Sequence, residues 1–219
     1  MKTTVNGGVR RATSAEHQRQ PLPFLRGARI LLRPLTRADA NGPYAEWFND
    51  PVVCAANSHH VFPHSVKETL AYIEEAQAAR DRLVLAIVHQ EDGRHLGNIA
   101  LTHIDPVARS AEFSLIIGER RSWGRGYSKE ASRLILDHAF FSLNLTRVAC
   151  GTYASNIPMR RLAGFLGMRK EGRRRRAAFK QHRWMDVIEF GLLRAEYVRR
   201  FGAPKPVLPW GRAGTRLAR

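Results

Sequence analysis

The apolar positions along the chain change period several times, and each change marks an element. ARILLRPL (28–35) and LVLAIVH (83–89) are dense aliphatic runs of strand length. The second run leads through the turn EDGR, whose Asp-Gly is a turn signal, into HLGNIALTHI (95–104), so a hairpin is expected. AEFSLII (111–117) reads as the next strand. The period then becomes helical. Ala131, Leu134, Ile135, His138 and Ala139 fall on one face of a helix expected to run to about Phe141. TRVACGTYA (146–154) returns to a strand, and NIPMRRLAGFLGM predicts a short helix closed by Gly167. A basic strand, a turn near Lys180–His182 and WMDVIEFGLL (184–193) predict a last hairpin.

Between the first two strands the polar residues do the marking. Thr36 is placed as the N-cap of a short helix, followed by a break and a second helix. Ser65 with Glu68 forms a capping box for a further helix, whose apolar side is Leu70, Ile73 and Ala76. The order is that of a mixed α/β (α+β) domain: an antiparallel meander, a helical crossover to another strand, then helix and hairpin. Residues 1–25 read as a flexible basic lead-in, 26–197 as the domain, and 198–219 as a basic tail with prolines.

The formal net charge of +17 changes this picture less than its size suggests. Residues 1–28 carry +4, residues 169–183 carry +7 and residues 198–219 carry +6, which leaves the rest neutral. Nucleic acid is therefore not an expected partner of the fold, except through its tails. The run Arg173–Arg176 lies inside the domain and is open to two readings, an anion-facing patch or a solvated strand end. No apolar run approaches the length of a membrane span, and the N-terminus lacks the apolar segment of a secretory signal. Cys54 and Cys150 fit no paired-ligand spacing and read as free thiols, so a cytoplasmic protein is expected. His59, His60 and His64 cluster, but their spacing fits no helical metal pair and no metal is expected.

Candidate chemistry concentrates in RRSWGRGYSKEA (120–131), where Gly124 and Gly126 separate a strand from a helix. Free N–H groups and the dipole at a helix start attract an anion, and glycines let it approach the backbone. The stretch lacks the Gly-Lys-Ser/Thr of a Walker loop, lacks the third glycine of a dinucleotide fingerprint at Lys129, and has none of the later kinase motifs. An ordinary glycine turn before a helix is the alternative.

Arg121-x-x-Gly124-x-Gly126 resembles the pyrophosphate loop of the GNAT acetyltransferases, and the resemblance runs from about Ala28 to Tyr197. ILLRPLTRADA, AEFSLIIGERRSWGRGYSKEA, ASNIPMRRLAGFLGMRKEG and WMDVIEFGLLRAEY follow the order of blocks in the RimJ/RimL-like branch. The resemblance implies a mixed, mostly antiparallel twisted sheet of about seven strands flanked by helices, with a V-shaped opening between the fourth and fifth. It implies acetyl-CoA as co-substrate, held by Leu115, Ile116 and Ile117, by Arg121, Trp123, Gly124, Arg125, Gly126 and Tyr127, and by Asn156.

An N-acetyltransferase must take a proton from an alkylammonium before the amine can attack. Glu112, an acid in an apolar strand, is the candidate base, and an edge-of-strand carboxylate paired with a neighbouring Arg is its alternative. Asn156 is the second catalytic candidate, and is equally fit to be an N-cap. His59, His60 and Tyr153 are candidate acceptor-binding residues. Two positions depart from the family: Met159 stands where Ser is common, and Ala163 where a Tyr often protonates the leaving thiolate. Asp186 matches the branch's acid in the last strand or pairs with an arginine of its hairpin. YAEWFNDPVV, FPHSVKETLAYIE and DGRHLGNIAL resemble enzymes of surface-polysaccharide and flagellin-glycan pathways, which implies a small amine acceptor linked to a nucleotide. The alternatives are Nα-acetylation of a protein such as a ribosomal protein, and a non-catalytic acyl-CoA-binding module. A monomer or homodimer is expected.

Overall fold

The computed structural model describes residues 22–204. Its eight strands form one sheet in the order β1-β2-β3-β4-β5-β6-β8-β7. They are β1 (Leu25–Arg26), β2 (Ile30–Pro34), β3 (Leu83–His89), β4 (His95–Asp105), β5 (Ser110–Ile117), β6 (Arg147–Tyr153), β7 (Arg169–Lys180) and β8 (Arg183–Leu193). All neighbours are antiparallel except β5 and β6. The helices are α1 (Arg37–Ala40), α2 (Tyr44–Asn49), α3 (Val66–Ala78), α4 (Tyr127–Asp137), α5 (Ile157–Leu166) and α6 (Arg194–Phe201).

Both faces of the central strands are covered, which explains why β3 reads as an unbroken apolar run. Leu85 and Ile87 join the core beneath α4 and α5, whereas Ala86 and Val88 join the core beneath α1–α3. Capping sets where those helices begin. Ser65 accepts from the Glu68 N–H at 3.2 Å, and the Glu68 carboxylate returns to the Ser65 N–H at 2.7 Å. Asp39 in α1 accepts from the Thr36 N–H at 2.7 Å and hydroxyl at 2.9 Å. Gly167 closes α5 in the left-handed region at φ 82°.

The sheet has eight strands where about seven were expected, and the addition is β1. Two residues are too few to show a period, and Leu25 pairs opposite Leu32 only because β2 is there. The other difference is α6, where the sequence suggests a closing strand and tail. Tyr197 is fully buried and its hydroxyl donates to Asp137 at 2.7 Å, while Phe201 lies 3.9 Å beneath the Arg133 guanidinium. Those contacts are made with α4, so no local pattern announces them. β1 and α6 thus extend the regular structure beyond both ends of the 26–197 span. Residues 1–21 and 205–219, including most of both basic segments, lie outside the described residues.

Candidate active site

β5 and β6 run parallel, but they pair only at Ser110–Arg147, Ala111–Val148 and Glu112–Ala149. Beyond Glu112 they part, which opens the sheet. The pairing with β4 decides which peptide groups of β5 face the gap. The Gly118 N–H donates to the Leu96 carbonyl at 2.9 Å, so alternation turns Ser114 and Ile116 towards β4 and Phe113, Leu115 and Ile117 towards β6. Of the expected backbone residues, Leu115 and Ile117 therefore face the opening and Ile116 does not. The Ile117 carbonyl is taken by the Trp123 indole N–H at 2.7 Å, which ties the loop back to the strand.

After β5 the chain makes a 3₁₀ turn at Arg120–Ser122 and enters α4 through two left-handed glycines, Gly124 at φ 74° and Gly126 at φ 84°. The N–H groups of residues 121–123 are spent locally: Arg121 on the Glu119 carboxylate, Ser122 on the Glu119 carbonyl and Trp123 on the Arg120 carbonyl. From Gly124 to Ser128 the backbone N–H groups meet no acceptor among the described residues. The run of N–H groups without acceptors thus lies at 124–128, whereas the motif spans 121–126. A Cβ built on Gly124 would meet nothing within 4 Å, so the approach is open. Arg121 and Arg125 are exposed beside it. Arg29 braces the loop by donating to the Arg125 carbonyl at 2.9 Å, pairing with Glu130 at 3.0 Å, and lying 4.9 Å over the Tyr127 ring. Tyr127 is buried and contributes its backbone and packing.

Trp47 of α2 forms the wall facing the loop. Its indole fills the space that any side chain at Gly118 would need, so only glycine fits there. Trp47, Gly118, Glu119, Arg120, Arg121 and Trp123 line a cleft of about 610 Å³. Behind Trp47 lies a buried polar network. Asp39 takes two Arg33 hydrogen bonds of 2.7 Å, and the His95 ring sits 4.9 Å from Trp47. His95 Nε2 is 2.8 Å from the Asn98 side-chain oxygen. Burial alone would raise the Asp39 carboxyl, but Arg33 and the Thr36 N–H hold it below the usual range. Burial lowers the His95 pKa despite Asp39 and Asn98. The sequence gives no sign of this wall, because Trp47 and Gly118 meet only through the fold.

The face of β5 that carries Glu112 and Ser114 is the one covered by α1–α3 further along the sheet. Glu112 sits where β5 and β6 part, with its side chain 63% exposed and His103 Nδ1 at 3.4 Å. It faces water and a histidine, not the apolar enclosure its sequence neighbours suggest. Asn156 caps α5 by accepting from the Met159 N–H at 3.1 Å, and its amide donates to the Ala56 carbonyl at 3.2 Å. It therefore fastens the loop after α2 to the β6 side of the opening. Tyr153 ends β6 largely buried, and that burial raises its phenol pKa. Ala163 is fully buried and offers only a methyl group.

In the same loop, His59 packs on Phe48 with ring centroids 4.0 Å apart. The loss of water there, with smaller effects of His64 and Lys180, lowers its pKa. His60 is exposed in the left-handed region at φ 62°. Lys180, which the sequence pattern marks only as a turn residue, is 8% exposed and donates to the His59 carbonyl. The arginine run on β7 is partly committed. Arg173 pairs with Asp186, Arg174 pairs with Glu189 at 2.7 Å, and Arg176 lies 5.4 Å over the Trp184 ring. Asp186 is therefore an acid of its own hairpin, and the Arg176 N–H and Arg173 hold its pKa down. The described residues contain no group of three or more side chains able to hold a metal, and no helix long and apolar enough to cross a membrane.

Comparison with known proteins gives the chain a family and its fold several relatives. The family model described as the acetyltransferase (GNAT) domain matches residues 29–169. An uncharacterized N-acetyltransferase p20 from Bacillus licheniformis is 28% identical over 171 residues, covering 77% of this chain and 95% of the relative. The solved spermidine N-acetyltransferase from Vibrio cholerae, in complex with CoA and spermine, superposes with a TM-score of 0.72 at 22% identity, over 78% of this chain and 99% of its own. Mycobacterium smegmatis RimJ, in complex with CoA-disulfide, gives a TM-score of 0.68 at 22% identity, over 76% of this chain and 83% of its own.

Proposed function

The chain belongs to the GNAT acetyltransferase family and is an N-acetyltransferase, and from that premise we propose that it acetylates the primary amine of a small, anionic, nucleotide-linked metabolite such as an amino-sugar nucleotide. One observation supports the donor half above all others: the unpaired β5 edge continues into a run of N–H groups that lack acceptors. An amide-rich arm ending in a diphosphate fits that pair of features, and neighbours of the same fold hold CoA.

Acetyl-CoA supplies the acetyl group as a thioester. The N–H groups of 124–128 hold its diphosphate, with Arg121 and Arg125 adding charge. Leu115 and Ile117 offer strand peptide groups to its amide arm, and an N–H of that edge can donate to the thioester carbonyl. Glu112 removes the proton of the bound ammonium, directly or through one water. Asn156 holds the loop after α2 against α5, while His59 and His60 orient the acceptor. Tyr153, kept protonated by its burial, or a water returns a proton to the thiolate. The acceptor's anionic character is read from the shortage of free acids around the loop and hairpin, where Asp186 and Glu189 are both paired with arginines.

The test is acetyl transfer from labelled acetyl-CoA into an extract of the source cells, separated by size. Label in the small, anionic fraction is the expected result. Label in one protein band would replace this reading with protein Nα-acetylation. Bound acetyl-CoA with no label in any fraction would leave the fold as an acyl-CoA-binding module.

A further inference from the structure

β4 and β5 pair in register as far as Thr102, opposite Glu112, and then slip. The next paired residues are Asp105 and Ser110, so β4 has His103 and Ile104 where β5 has only Ala111. This is a β-bulge, a device that bends a strand and re-aims a side chain. Its effect here is on the faces. Leu101 and Ile104 both pack on the core beneath α4 and α5, although regular alternation would set them on opposite sides. The extra residue is His103, and its ring is turned to the side of Thr102 and Glu112. Its backbone enters the left-handed region at φ 50°, which a residue with a Cβ adopts at a cost. The Ile104 N–H is taken by the Asp81 carbonyl at 2.8 Å, so the bulge is held from outside the ladder.

The bulge brings two titratable side chains together where β5 and β6 part. His103 Nδ1 lies 3.4 Å from a Glu112 carboxylate oxygen. The two side chains are 76% and 63% exposed, and an exposed pair adds little to stability. Folding alone therefore does not account for a strained bulge aimed at Glu112, and strain of this kind collects at functional sites.

The chemistry supplies a use. An alkylammonium has three N–H bonds, and its amide product keeps one. Of the two protons lost, the CoA thiolate takes one, and the other has to reach water in every turnover. Glu112 can act as base again only after giving its proton up. An acceptor lying over Glu112 displaces the water in front of it, while His103, the more exposed of the two, stays in contact with solvent beside it.

We propose that His103 is the positioning residue of Glu112, holding its carboxylate at the gap and passing the proton it removes on to water. This rests on the acetyl-transfer reading above, with Glu112 as the base. With its ring hydrogen on Nε2, His103 offers the Nδ1 lone pair to Glu112. An ammonium N–H bond breaks and an O–H bond forms on Glu112. That proton moves to Nδ1, which restores the carboxylate, and the imidazolium releases its Nε2 proton to water. Exchange with water at both nitrogens resets the tautomer. Contacts of this kind are often longer than a hydrogen bond before substrate binds and shorten in the complex.

The test uses His103→Gly, because glycine adopts φ 50° without strain and keeps the bulge while removing the ring. Acetyl transfer from labelled acetyl-CoA is followed as an initial rate at saturating donor, with the cell-extract fraction that takes label from the unmodified protein as acceptor. His103→Gly should lower that rate by about tenfold, less than loss of the base itself, and leave acetyl-CoA affinity unchanged. Free imidazole should restore part of the rate, after the rate without protein is subtracted. In the Glu112→Gln background His103→Gly should cost nothing further and imidazole should have no effect, because a residue that acts through Glu112 then has nothing to act on. A structural role would give a loss that imidazole leaves untouched and that multiplies with the loss in Glu112→Gln. That result, or an unchanged rate in His103→Gly, overturns the proposal alone. No label from the unmodified protein would overturn the acetyl-transfer reading and this proposal with it.

Discussion

The two sides of the sheet opening are built on different principles. The proposed donor side, β5 with the loop to α4, is made of backbone: peptide groups of Leu115 and Ile117 turned to the gap, of which the Ile117 carbonyl is held by Trp123, then free N–H groups at 124–128. The proposed acceptor side is made of side chains brought from separate segments: Glu112 on β5, His59 and Asn156 on loops. A ligand common to many enzymes can be recognised by backbone geometry, which tolerates sequence drift. An acceptor particular to one enzyme has to be recognised by side chains, which drift freely between relatives. The comparison explains why relatives at 22% identity keep the fold while nothing in that identity transfers an acceptor.

The sharpest way to break the contrast is Gly124→Val. At φ 74° a β-branched residue is strained and its bulk enters the cradle, so acetyl-CoA affinity should fall by about 100-fold or more in calorimetric titration, with the circular dichroism spectrum unchanged. Intact affinity would show that the backbone cradle is not the donor site. Glu112→Gln should lower kcat by about 100-fold, the lower end of what a positioned base contributes, with acetyl-CoA affinity unchanged. Unchanged turnover removes Glu112 from the chemistry.

Smaller effects test the framework between the two sides. Ser65→Ala removes the cap of α3 and should cost about 1 kcal/mol in denaturant unfolding while leaving kcat/KM alone. The wall behind Trp47 should be sensitive to acid. His95 is held neutral in the fold, below its ordinary value of 6.5, so the unfolded chain takes up a proton that the folded chain refuses. Its contribution to stability is present above about pH 6.5 and is lost as pH falls through that value towards the lower folded pKa. Asp39, held down by Arg33 and Thr36, keeps its contribution until the pH falls below the ordinary carboxylate range. The Tm should therefore fall between about pH 7 and pH 5, and less steeply in His95→Gln; an equal slope in both would assign the loss to other groups. The smallest change is expected of Arg173→Gln combined with Arg174→Gln. Both arginines spend their charge on hairpin acids at the surface, so the acceptor KM should move by less than about threefold. A larger rise confined to phosphorylated acceptors would show that the run contacts the acceptor.

The same division governs how much is legible in the sequence. β3, β4 and β5 can be read from apolar runs and a turn signal, and α3 from its capping box, because each is decided within a dozen neighbouring residues. The glycines mark the loop between β5 and α4, but the hydrogen bonds that spend the N–H groups of 121–123 on Glu119 and Arg120 move the free run to 124–128. Glu112 stands out as an acid among apolar residues, and its exposure comes from the parting of β5 and β6, which no single strand records. Lys180 is hidden for the opposite reason. It sits in a polar turn, where lysines are ordinarily solvated, and only the arrival of the His59 loop buries it. Trp47 against Gly118 and Tyr197 against Asp137 are likewise contacts between distant elements.

The arginine run has a consequence that needs no ligand. The sheet ends on β1, two residues long, and on β7, a strand of twelve. A bare strand of that length is a template on which a second chain can extend the sheet. β7 carries Arg169, Lys170, Arg173–Arg176 and Lys180 along it, and its register breaks between Arg174 and Ala178. Two such margins brought together would set rows of like charge against each other with their hydrogen bonds out of step. The most basic stretch of the domain thereby opposes pairing of two copies through this one edge, and trimming its charge in search of tighter stability would weaken that opposition along the border.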